Sequence, residues 1–405
     1  MISIFAWRNL WRNKLRSSII ILAITLGIFA GIFLIAFTQG MINQRIQSII
    51  GNEISHIQIH MPGFLDNEQF SYLIPGADSI VSLVREIPNV QAVSKRIILN
   101  SMVASAETGT GVKITGIDPK DESLVTGLSA DLVEGSYLDE NSKNAVFISE
   151  RLAQKLKVRL KNKIIITVQD INKTITSGAF RVRGIYRTEN MLFDEANIFV
   201  RNADICRLTG LKGNESHEIA IRLNSNKATN EIAKIIQSRY PKLEVKTWQQ
   251  LSPEAGYLVG AMNQYMYIFI VIILLALCFG IINTMLMVIM ERVRELGMLM
   301  AIGMNKLRIF TMIMLETIYL SLTGGILGII LGYLISAYLG KKGINLYFWK
   351  EAFSEIGYSS LVFPVIDSQT ILITSIMVFL AGIASSIYPA LHALKLNPSE
   401  AIRSI

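Results

Sequence analysis

Charged residues and cysteine are both scarce in this chain. Only 17% of its 405 residues are charged and 51% are hydrophobic, a composition too apolar for an ordinary soluble protein. The two cysteines, Cys206 and Cys278, fall in segments of different character, so we do not expect them to meet in a disulfide. A large folded domain can bury enough core to be stable without one.

Motifs for catalysis and nucleotide binding are also absent. The sequence has no G-x-x-x-x-G-K-[ST] phosphate loop, no H-E-x-x-H, no C-x-x-C and no G-x-S-x-G. His56 and His60 would share one face of a strand, but without a third ligand they are expected to be surface or core histidines and not a metal site. We therefore expect no catalytic residue, no metal and no cofactor bound by this chain.

Four long apolar windows contain no Asp, Glu, Lys or Arg. They are 17–44, 266–290, 317–340 and 368–394. Each exceeds the roughly 20 residues with which an α-helix crosses the hydrocarbon core of a bilayer. The sequence thus predicts a membrane protein with four transmembrane α-helices in a 1+3 arrangement, at 17–44, 263–290, 309–340 and 369–391.

Basic residues near the ends of these helices indicate the orientation. The bias lies in three segments that share one side of a four-span protein, and its members are Arg8, Arg12, Lys14, Arg16, Arg292, Arg294, Lys306, Arg308, Lys395 and Arg403. Because Lys and Arg are enriched in cytoplasmic loops, both termini are predicted to be cytoplasmic, and segment 45–262 extracytoplasmic. The formal charge of +8 then reflects topology and does not indicate nucleic-acid binding.

The shorter segments follow from the same topology. Residues 1–16 place Ile4, Trp7, Trp11 and Leu15 on one stripe, which suits either an amphipathic helix in the cytoplasmic interface or an ordinary positive flank. Segment 341–368 is predicted to be an outer loop, and 392–405 a cytoplasmic tail.

The link between the second and third spans, 291–308, is longer and more charged than a tight turn requires. Its first part reads ERVRELGMLMAIGM, with helical spacing and glycines at Gly297 and Gly303. This pattern predicts a short cytoplasmic helix that contacts another component.

The extracytoplasmic segment is predicted to be an α+β domain with a second, β-rich subdomain inserted into it. Strand–helix–strand patterns occur in its two outer halves, 45–104 and 213–262. The inserted part, 105–212, has many short β signals punctuated by glycine, and only 148–156 reads as a helix.

Small and polar residues within the spans predict how the helices contact one another. Gly27 and Gly31 on the first span, and Gly324, Gly328 and Gly332 on the third, recur at four-residue intervals that favour close helix packing. Asn283 is interpreted as an interhelical hydrogen-bond donor. Glu316 is interpreted as a paired or packed acid, with a coupling or proton-handling role as the less favoured alternative.

These residues resemble the four-span permease subunits of ABC transporters, the superfamily that includes MacB-type exporters, FtsX-like proteins and lipoprotein-releasing (LolC/LolE) permeases. The 1+3 layout, Glu316 and the tail with Asn397, Pro398, Glu400, Ala401 and Arg403 carry the resemblance. So does the link, which matches the coupling segment of the family at Glu291, Arg292, Arg294, Glu295, Gly297, Ala301 and Gly303. The run 116–119 (GIDP) is similar to a segment of the lipoprotein-releasing branch.

The resemblance implies that the link is a coupling helix docked on an ATPase. In that role Glu291, Arg294 and Glu295 supply polar contacts, Leu296 and Met300 fill an apolar pocket, and Gly297 and Gly303 permit close approach, with Met304 ending the segment. Arg292 belongs to the same motif.

It also implies partners and a location. A dimer of cytoplasmic ABC ATPases would bind ATP and Mg²⁺, and a second permease subunit, identical or homologous, would complete the transporter in the cell inner membrane. The expected role is extraction of lipoproteins for release to a periplasmic carrier. MacB-type export of peptides or small molecules, and FtsX-like signalling to a cell-wall hydrolase, are the alternatives.

Overall fold

The computed structural model describes residues 2–394, apart from the side chains of Ile2, Leu258, Val259, Met262 and Asn263. The chain forms two compact units. The membrane unit comprises the residues up to Ile42, those from Val259 to Asn345 and those from Leu361 onward, and the large domain comprises Asn43–Leu258 with Leu346–Ser360. The predicted tail motif with Asn397, Pro398, Glu400 and Arg403 lies outside the described residues.

The chain alternates long membrane helices with short elements. The helices are α1 (Ile2–Leu10), α2 (Lys14–Ser48), α3 (Phe64–Asn67), α4 (Ala77–Arg85), α5 (Pro119–Val125), α6 (Glu150–Lys155), α7 (Met191–Ala196), α8 (Asn202–Thr209), α9 (Thr229–Arg239), α10 (Trp248–Leu251), α11 (Pro253–Glu291), α12 (Val293–Ala301), α13 (Lys306–Lys342), α14 (Lys350–Glu355) and α15 (Ser368–Leu394). The strands are β1 (Ile57–His60), β2 (Val90–Ala104), β3 (Gly109–Ile117), β4 (Leu132–Gly135), β5 (Ala145–Ser149), β6 (Lys163–Gln169), β7 (Ile175–Tyr186), β8 (Asn197–Arg201), β9 (Glu218–Leu223), β10 (Glu244–Thr247), β11 (Ile344–Asn345) and β12 (Leu361–Val362).

Four of these helices, α2, α11, α13 and α15, are long and apolar enough to cross a membrane. Helix α2 starts earlier than the predicted span 17–44, at Lys14, and α13 starts at Lys306 instead of 309. Helix α1 ends at Leu10 and does not continue to residue 16. The break is stabilised by the Ser17 hydroxyl, which donates a hydrogen bond to the last carbonyl of α1, that of Leu10, at 2.5 Å.

Both strand–helix–strand patterns in the outer halves of the large domain are present, as β1–α4–β2 and β9–α9–β10. Their strands form one end of a ten-stranded sheet, in the order β10-β1-β9-β2-β3-β8-β5-β7-β4, with β6 paired to β2 and β7. Helices α4 and α9 bury Ile80, Val84, Ile232 and Ile236 in one apolar core beside these strands.

Strand β2 connects the two halves of the large domain. Its 15 residues pair with β9 through Arg96 and with β3 from Ile97 onward. A second apolar core, whose buried members lie between Ile97 and Leu211, begins at this change of partner. The inserted subdomain therefore begins within β2 and not at residue 105.

The inserted part also contains more helix than the sequence indicated. Helices α5, α6, α7 and α8 all lie within it, whereas only 148–156 was expected to be helical. These helices have 6 to 8 residues. A helical period is recognised over windows of about 11–18 residues, so such short helices leave little trace in the sequence.

The histidines of the large domain are buried and serve as structural hydrogen-bonding groups. His56 Nδ1 accepts from the Leu223 backbone N–H at 3.2 Å, and His217 Nδ1 accepts from that of Ile98 at 3.1 Å. His60 is fully buried between Gln58 and the His217 carbonyl. Among the described residues, no group of three or more His, Cys, Asp or Glu side chains is placed to hold a metal ion.

Burial of these histidines makes the large domain sensitive to acid. Desolvation lowers the pKa of His56 and of His217 from 6.5 to about 4. Between these two pKa values the histidines are protonated in the unfolded chain and neutral in the folded domain. The domain therefore loses stability as the pH falls from about 6.5, the pKa in the unfolded chain, toward 4. Each histidine should lower the free energy of unfolding by roughly 2 kcal/mol between about pH 7 and pH 5.

A variant separates this effect from other titrations. Burial raises the pKa of Asp194 to about 6, which acts in the opposite sense and stabilises the fold as the pH falls. In His56→Asn the amide oxygen replaces the acceptor for Leu223. We expect its unfolding free energy to fall by roughly 2 kcal/mol less than that of the wild type over this range. The unfolding free energy of both proteins is measured by urea titration at several pH values. If it depends equally on pH in the two proteins, His56 does not cause the acid sensitivity.

Candidate coupling site

The link between the second and third spans folds as a helix with defined ends. Helix α12 follows α11 after the single residue Arg292. It ends at Ala301, and Gly303, just past the capping residue Ile302, has a φ of +94°, the left-handed conformation that glycine adopts readily. The N–H groups of Gly303 and Met304 donate to the carbonyls of Met300 and Leu299, the pattern of a Schellman cap. The geometry explains Gly303 as a helix terminator.

One side of α12 faces its own chain. Leu296 is only 2% exposed and lies in an apolar cluster with Leu10, Ile289 and Ile309. Met300 packs against the same cluster, and Gly297 is buried. Leu296 is therefore not free to fill a pocket in another protein, which corrects the role that the resemblance implied. The exposed side carries Arg294, Met298, Ala301 and Ile302.

Two ion pairs join α12 to the turn between α1 and α2, and the end of α11 to α2. Arg12 donates to both carboxylate oxygens of Glu295, at 2.6 and 2.7 Å, and Arg16 donates to Glu291. The hydrogen bond from Arg12 lowers the pKa of the Glu295 carboxyl, so this group is ionised at neutral pH. The acids predicted to contact an ATPase are thus engaged within this chain.

Glu316 on α13 also takes part in these polar contacts. It is 5% exposed and accepts hydrogen bonds from Asn9 Nδ2 at 2.8 Å and from Arg292 Nη1 at 3.2 Å. Arg292 also donates from Nε to Glu295 at 3.0 Å, so one guanidinium joins α12 to α13. A buried carboxylate is costly unless paired, and here the arginine and the amide compensate it.

These groups line a polar cavity of about 330 Å³ in the membrane unit. Its charges balance, with three arginines against three glutamates, and the members are Arg12, Arg16, Arg292, Glu291, Glu295 and Glu316. We call these six residues the coupling cluster. Together with Asn9 of α1, it holds α1, α2, α11, α12 and α13 together at one end of the spans, so a force on α12 reaches all of them.

Sequence reasoning missed two of the six members of this cluster, and also Asn9 beside it. Arg12 and Arg16 had been assigned only to the positive flank, and Asn9 had no role. A signal was nevertheless present, because Arg12 and Arg16 are four residues apart, as are Glu291 and Glu295. The two pairs have equal spacing and opposite charge, so they are complementary, although Arg12 precedes α2 and the two glutamates lie on different helices.

The spaced glycines lie at contacts between spans. A Cβ atom at Gly324, Gly328 or Gly332 would lie 2.8–2.9 Å from the side chains of Ile24, Ile28 and Ile32, respectively. On α2, Gly27 faces Leu277 and Gly31 faces Ile273, both on α11. The first span is therefore packed against the third and the second through separate glycine faces.

Substitution at the centre of the longer glycine face should loosen the membrane unit. A Cβ at Gly328 would lie 2.9 Å from the backbone carbonyl of Thr25, which cannot move as a side chain can. We expect Gly328→Leu to cost about 1–3 kcal/mol, the usual penalty of overpacking, and to lower the unfolding midpoint in detergent. Gly260→Leu is the control, because nothing lies within 4 Å of its Cβ position. Equal midpoints for the two variants would contradict this packing.

Asn283 is exposed on α11, and its side chain makes no hydrogen bond within the described part of the chain. It therefore does not act as an interhelical donor between the spans of one copy.

The membrane helices, the large mixed α/β domain between the first two spans and the short helix between the next two define a membrane-embedded permease. The chain belongs to the family of FtsX-like permeases with a MacB-like periplasmic core. The family model of the MacB-like periplasmic core domain matches residues 17–239, and that of the FtsX-like permease C-terminal region matches residues 267–398. The family resemblance seen in the sequence is confirmed.

Individual relatives agree with this assignment. An uncharacterized ABC transporter permease of Methanocaldococcus jannaschii is 30% identical over 67% of this chain and 65% of its own length. The macrolide export ATP-binding/permease protein MacB of Shewanella sp. (strain ANA-3) is 23% identical over 91% of this chain and 55% of its own length. The lipoprotein-releasing system transmembrane protein LolE of Haemophilus influenzae is 19% identical over 79% of both. The chain thus spans less than two thirds of the first two, and it is an ABC transporter permease of the MacB/FtsX/LolE type.

Proposed function

We propose that this permease transmits the work of a separate cytoplasmic ATPase, which binds ATP and Mg²⁺, to the large domain on the other side of the inner membrane. The observation that carries the proposal is the coupling cluster, which ties α12 to the turn between α1 and α2 and, through Arg292, to α13, and ties the end of α11 to α2. Helices α2 and α11 each continue from the membrane unit into the large domain. A displacement of α12 therefore has two helical routes to that domain.

The exposed side of α12 is the surface that meets the ATPase. Met298 is 58% exposed and Ile302 is 78% exposed, next to the exposed Arg294. Two apolar side chains beside a cation are suited to an apolar groove with an acidic rim. This face replaces the contact through Leu296 that the sequence suggests, and the basic residues of α1, α2 and the link support a cytoplasmic location for it.

A second permease subunit covers the outer face of α11. That helix exposes Ile272 (54%) and Phe279 (71%), and Asn283 follows Phe279 by one helical turn. An amide facing lipid is costly, whereas the same amide between two copies has a partner. Crosslinking through Asn283→Cys in a variant lacking Cys206 and Cys278 tests this. Absence of a dimer under oxidising conditions, with the thiol reactive toward a lipid-soluble maleimide, would contradict it.

The cargo that we propose is a lipoprotein, which the transporter releases from the membrane. Extraction of an acyl chain costs about 0.8 kcal/mol per CH₂ group, so it needs an external energy source. Similarity to the LolE protein along 79% of both chains supports this choice. MacB-type export of peptides or small molecules is the second candidate, because the MacB-like core matches the whole stretch 17–239.

Reconstitution separates these cargoes. The permease is purified with its ATPase and placed in vesicles that contain a triacylated lipoprotein, together with a soluble acceptor that binds the acyl chains. Lipoprotein release should require ATP and be absent with a hydrolysis-dead ATPase. ATP-dependent efflux of a peptide or macrolide without lipoprotein release would establish the export alternative. If neither occurs and a cell-wall hydrolase binds the large domain, FtsX-like signalling is the function.

A further inference from the structure

The connection between the third and fourth spans exposes an unusual group of large apolar side chains. A 3₁₀ turn, Tyr347–Trp349, is followed directly by α14. Phe348 is 89% exposed, Tyr347 71% and Trp349 57%, and Ile356 after α14 is 62% exposed. We call residues 347–356 the aromatic foot. So much exposed aromatic surface in ten residues requires an apolar or interfacial neighbour.

The chain fixes this segment close to the ends of two spans. Helix α13 ends at Lys342. Strand β11 follows two residues later and pairs with β12, with Ile344 opposite Val362. From Lys342 to Tyr347 the chain can extend by at most about 17 Å. The headgroup layer of a bilayer begins where a span ends, so the foot is held within reach of it.

Its composition matches that layer. Tyr and Trp concentrate at membrane–water interfaces, where the ring contacts acyl chains and the polar atom stays hydrated. Three cations accompany the rings, at Lys341, Lys342 and Lys350, and Lys350 Nζ lies 5.7 Å from the centre of the Tyr347 ring. Cations beside aromatic rings favour the phosphate groups of lipids over the dry centre of a protein interface.

The other side of the foot belongs to the large domain. Helix α14 packs against α7, and a Cβ at Gly357 would lie 2.7 Å from the Arg45 guanidinium. Gly357 has a φ of +73°, so the close approach and the turn both require glycine. The foot is thus seated on the domain through one side and exposes its rings on another.

We propose that the aromatic foot is a lipid-binding surface that rests on the membrane leaflet on the side of the large domain. Its occupant is the interface of phospholipid headgroups and acyl chains. The foot anchors the large domain to that leaflet independently of α2 and α11. This assignment goes beyond the proposed function and holds for any cargo.

Tryptophan fluorescence tests the proposal in the full chain, because the sequence has only four tryptophans, Trp7, Trp11, Trp248 and Trp349. A variant that keeps Trp349 alone, with the others changed to Phe, is reconstituted in vesicles of phosphatidylcholine and phosphatidylglycerol. We expect blue-shifted emission, at least about two-fold quenching by lipids brominated on the acyl chains, and little quenching by iodide. Water-like emission that is quenched by iodide and not by brominated lipid would overturn the proposal.

Two controls keep the result interpretable. The matched variant that retains only Trp248, which is 2% exposed in the large domain, should respond to neither quencher. If loss of Trp248 disturbs the fold, the difference in emission between the wild type and Trp349→Phe reports the same residue with Trp248 intact. Blue-shifted Trp349 emission that neither quencher affects would show that protein covers the foot, and would also overturn the proposal.

Discussion

Replacing Arg292 by methionine should destabilise the membrane unit more than any other single change in the coupling cluster. Arg292 is the charged partner of Glu316, which is 5% exposed, and it also binds Glu295. Without the guanidinium a buried carboxylate remains unpaired, and removal of one partner from a buried pair typically costs about 3–5 kcal/mol. We expect a lower unfolding midpoint in detergent and loss of coupled ATP hydrolysis, since α12 is no longer fixed to α13.

Two further variants show whether charge is the cause. Arg292→Met combined with Glu316→Gln removes both charges and should regain most of the lost stability, because no buried charge is left unpaired. Arg308→Met removes an exposed arginine from the first turn of α13 and should change the midpoint little. If the double variant is as unstable as Arg292→Met, packing and not charge pairing explains the effect.

Arg96→Met should have an effect of similar size in the large domain. Arg96 is 4% exposed and lies between Glu122, which is fully buried, and Glu218, which is 4% exposed. It donates to Glu122 at 2.6 Å from Nη2 and to Glu218 at 2.7 Å from Nη1. The proximity of the two carboxylates raises the pKa of Arg96 despite its burial, so this side chain is always charged. Its loss leaves two buried carboxylates together.

The expected cost is again about 3–5 kcal/mol, which for a domain of this size lowers the unfolding midpoint by roughly 10 °C. Calorimetry of the purified protein measures it. The control is Arg85→Met, which removes an arginine that pairs with Asp121 while 49% exposed, and a shift below about 2 °C is expected. A triple variant that also carries Glu122→Gln and Glu218→Gln should recover stability, and failure to recover would mean that the arginine stem supplies the packing.

The main elements of the fold follow from local patterns in the sequence. Long charge-free windows identify the spans, and the strand–helix–strand patterns of the outer halves were recognisable because the apolar residues of α4 and α9 recur at helical spacing. The change of partner within β2 was not recognisable, because the strand continues through Arg96 without a break over its 15 residues. Pairing partners distant in sequence are not encoded in local periodicity.

The contacts of the coupling cluster were likewise not predictable from local sequence patterns. The motif of the link marked Glu291, Arg292 and Glu295 as functional, but it could not distinguish side chains that face a partner from those that face the same chain. Leu296 was assigned to the partner and is buried, whereas Ile302 was overlooked and is the most exposed apolar residue of the link at 78%. The packing of α1 against α13 determines which side of the link is buried. That packing cannot be read from the sequence, because contacting residues such as Asn9 and Glu316 are far apart along the chain.

The coupling role rests most directly on movement of the large domain driven through α12. Spin labels at Lys173→Cys, at the exposed hairpin between β6 and β7, report the distance between the large domains of two copies in a chain without Cys206 and Cys278. In the complex with the ATPase, ATP should shift this distance distribution. Ile302→Asp should abolish the shift and the binding of the ATPase without lowering the unfolding midpoint, since the side chain is exposed. An ATP-driven shift that persists in Ile302→Asp, or its absence in the wild type with the ATPase bound and active, would contradict coupling through this helix.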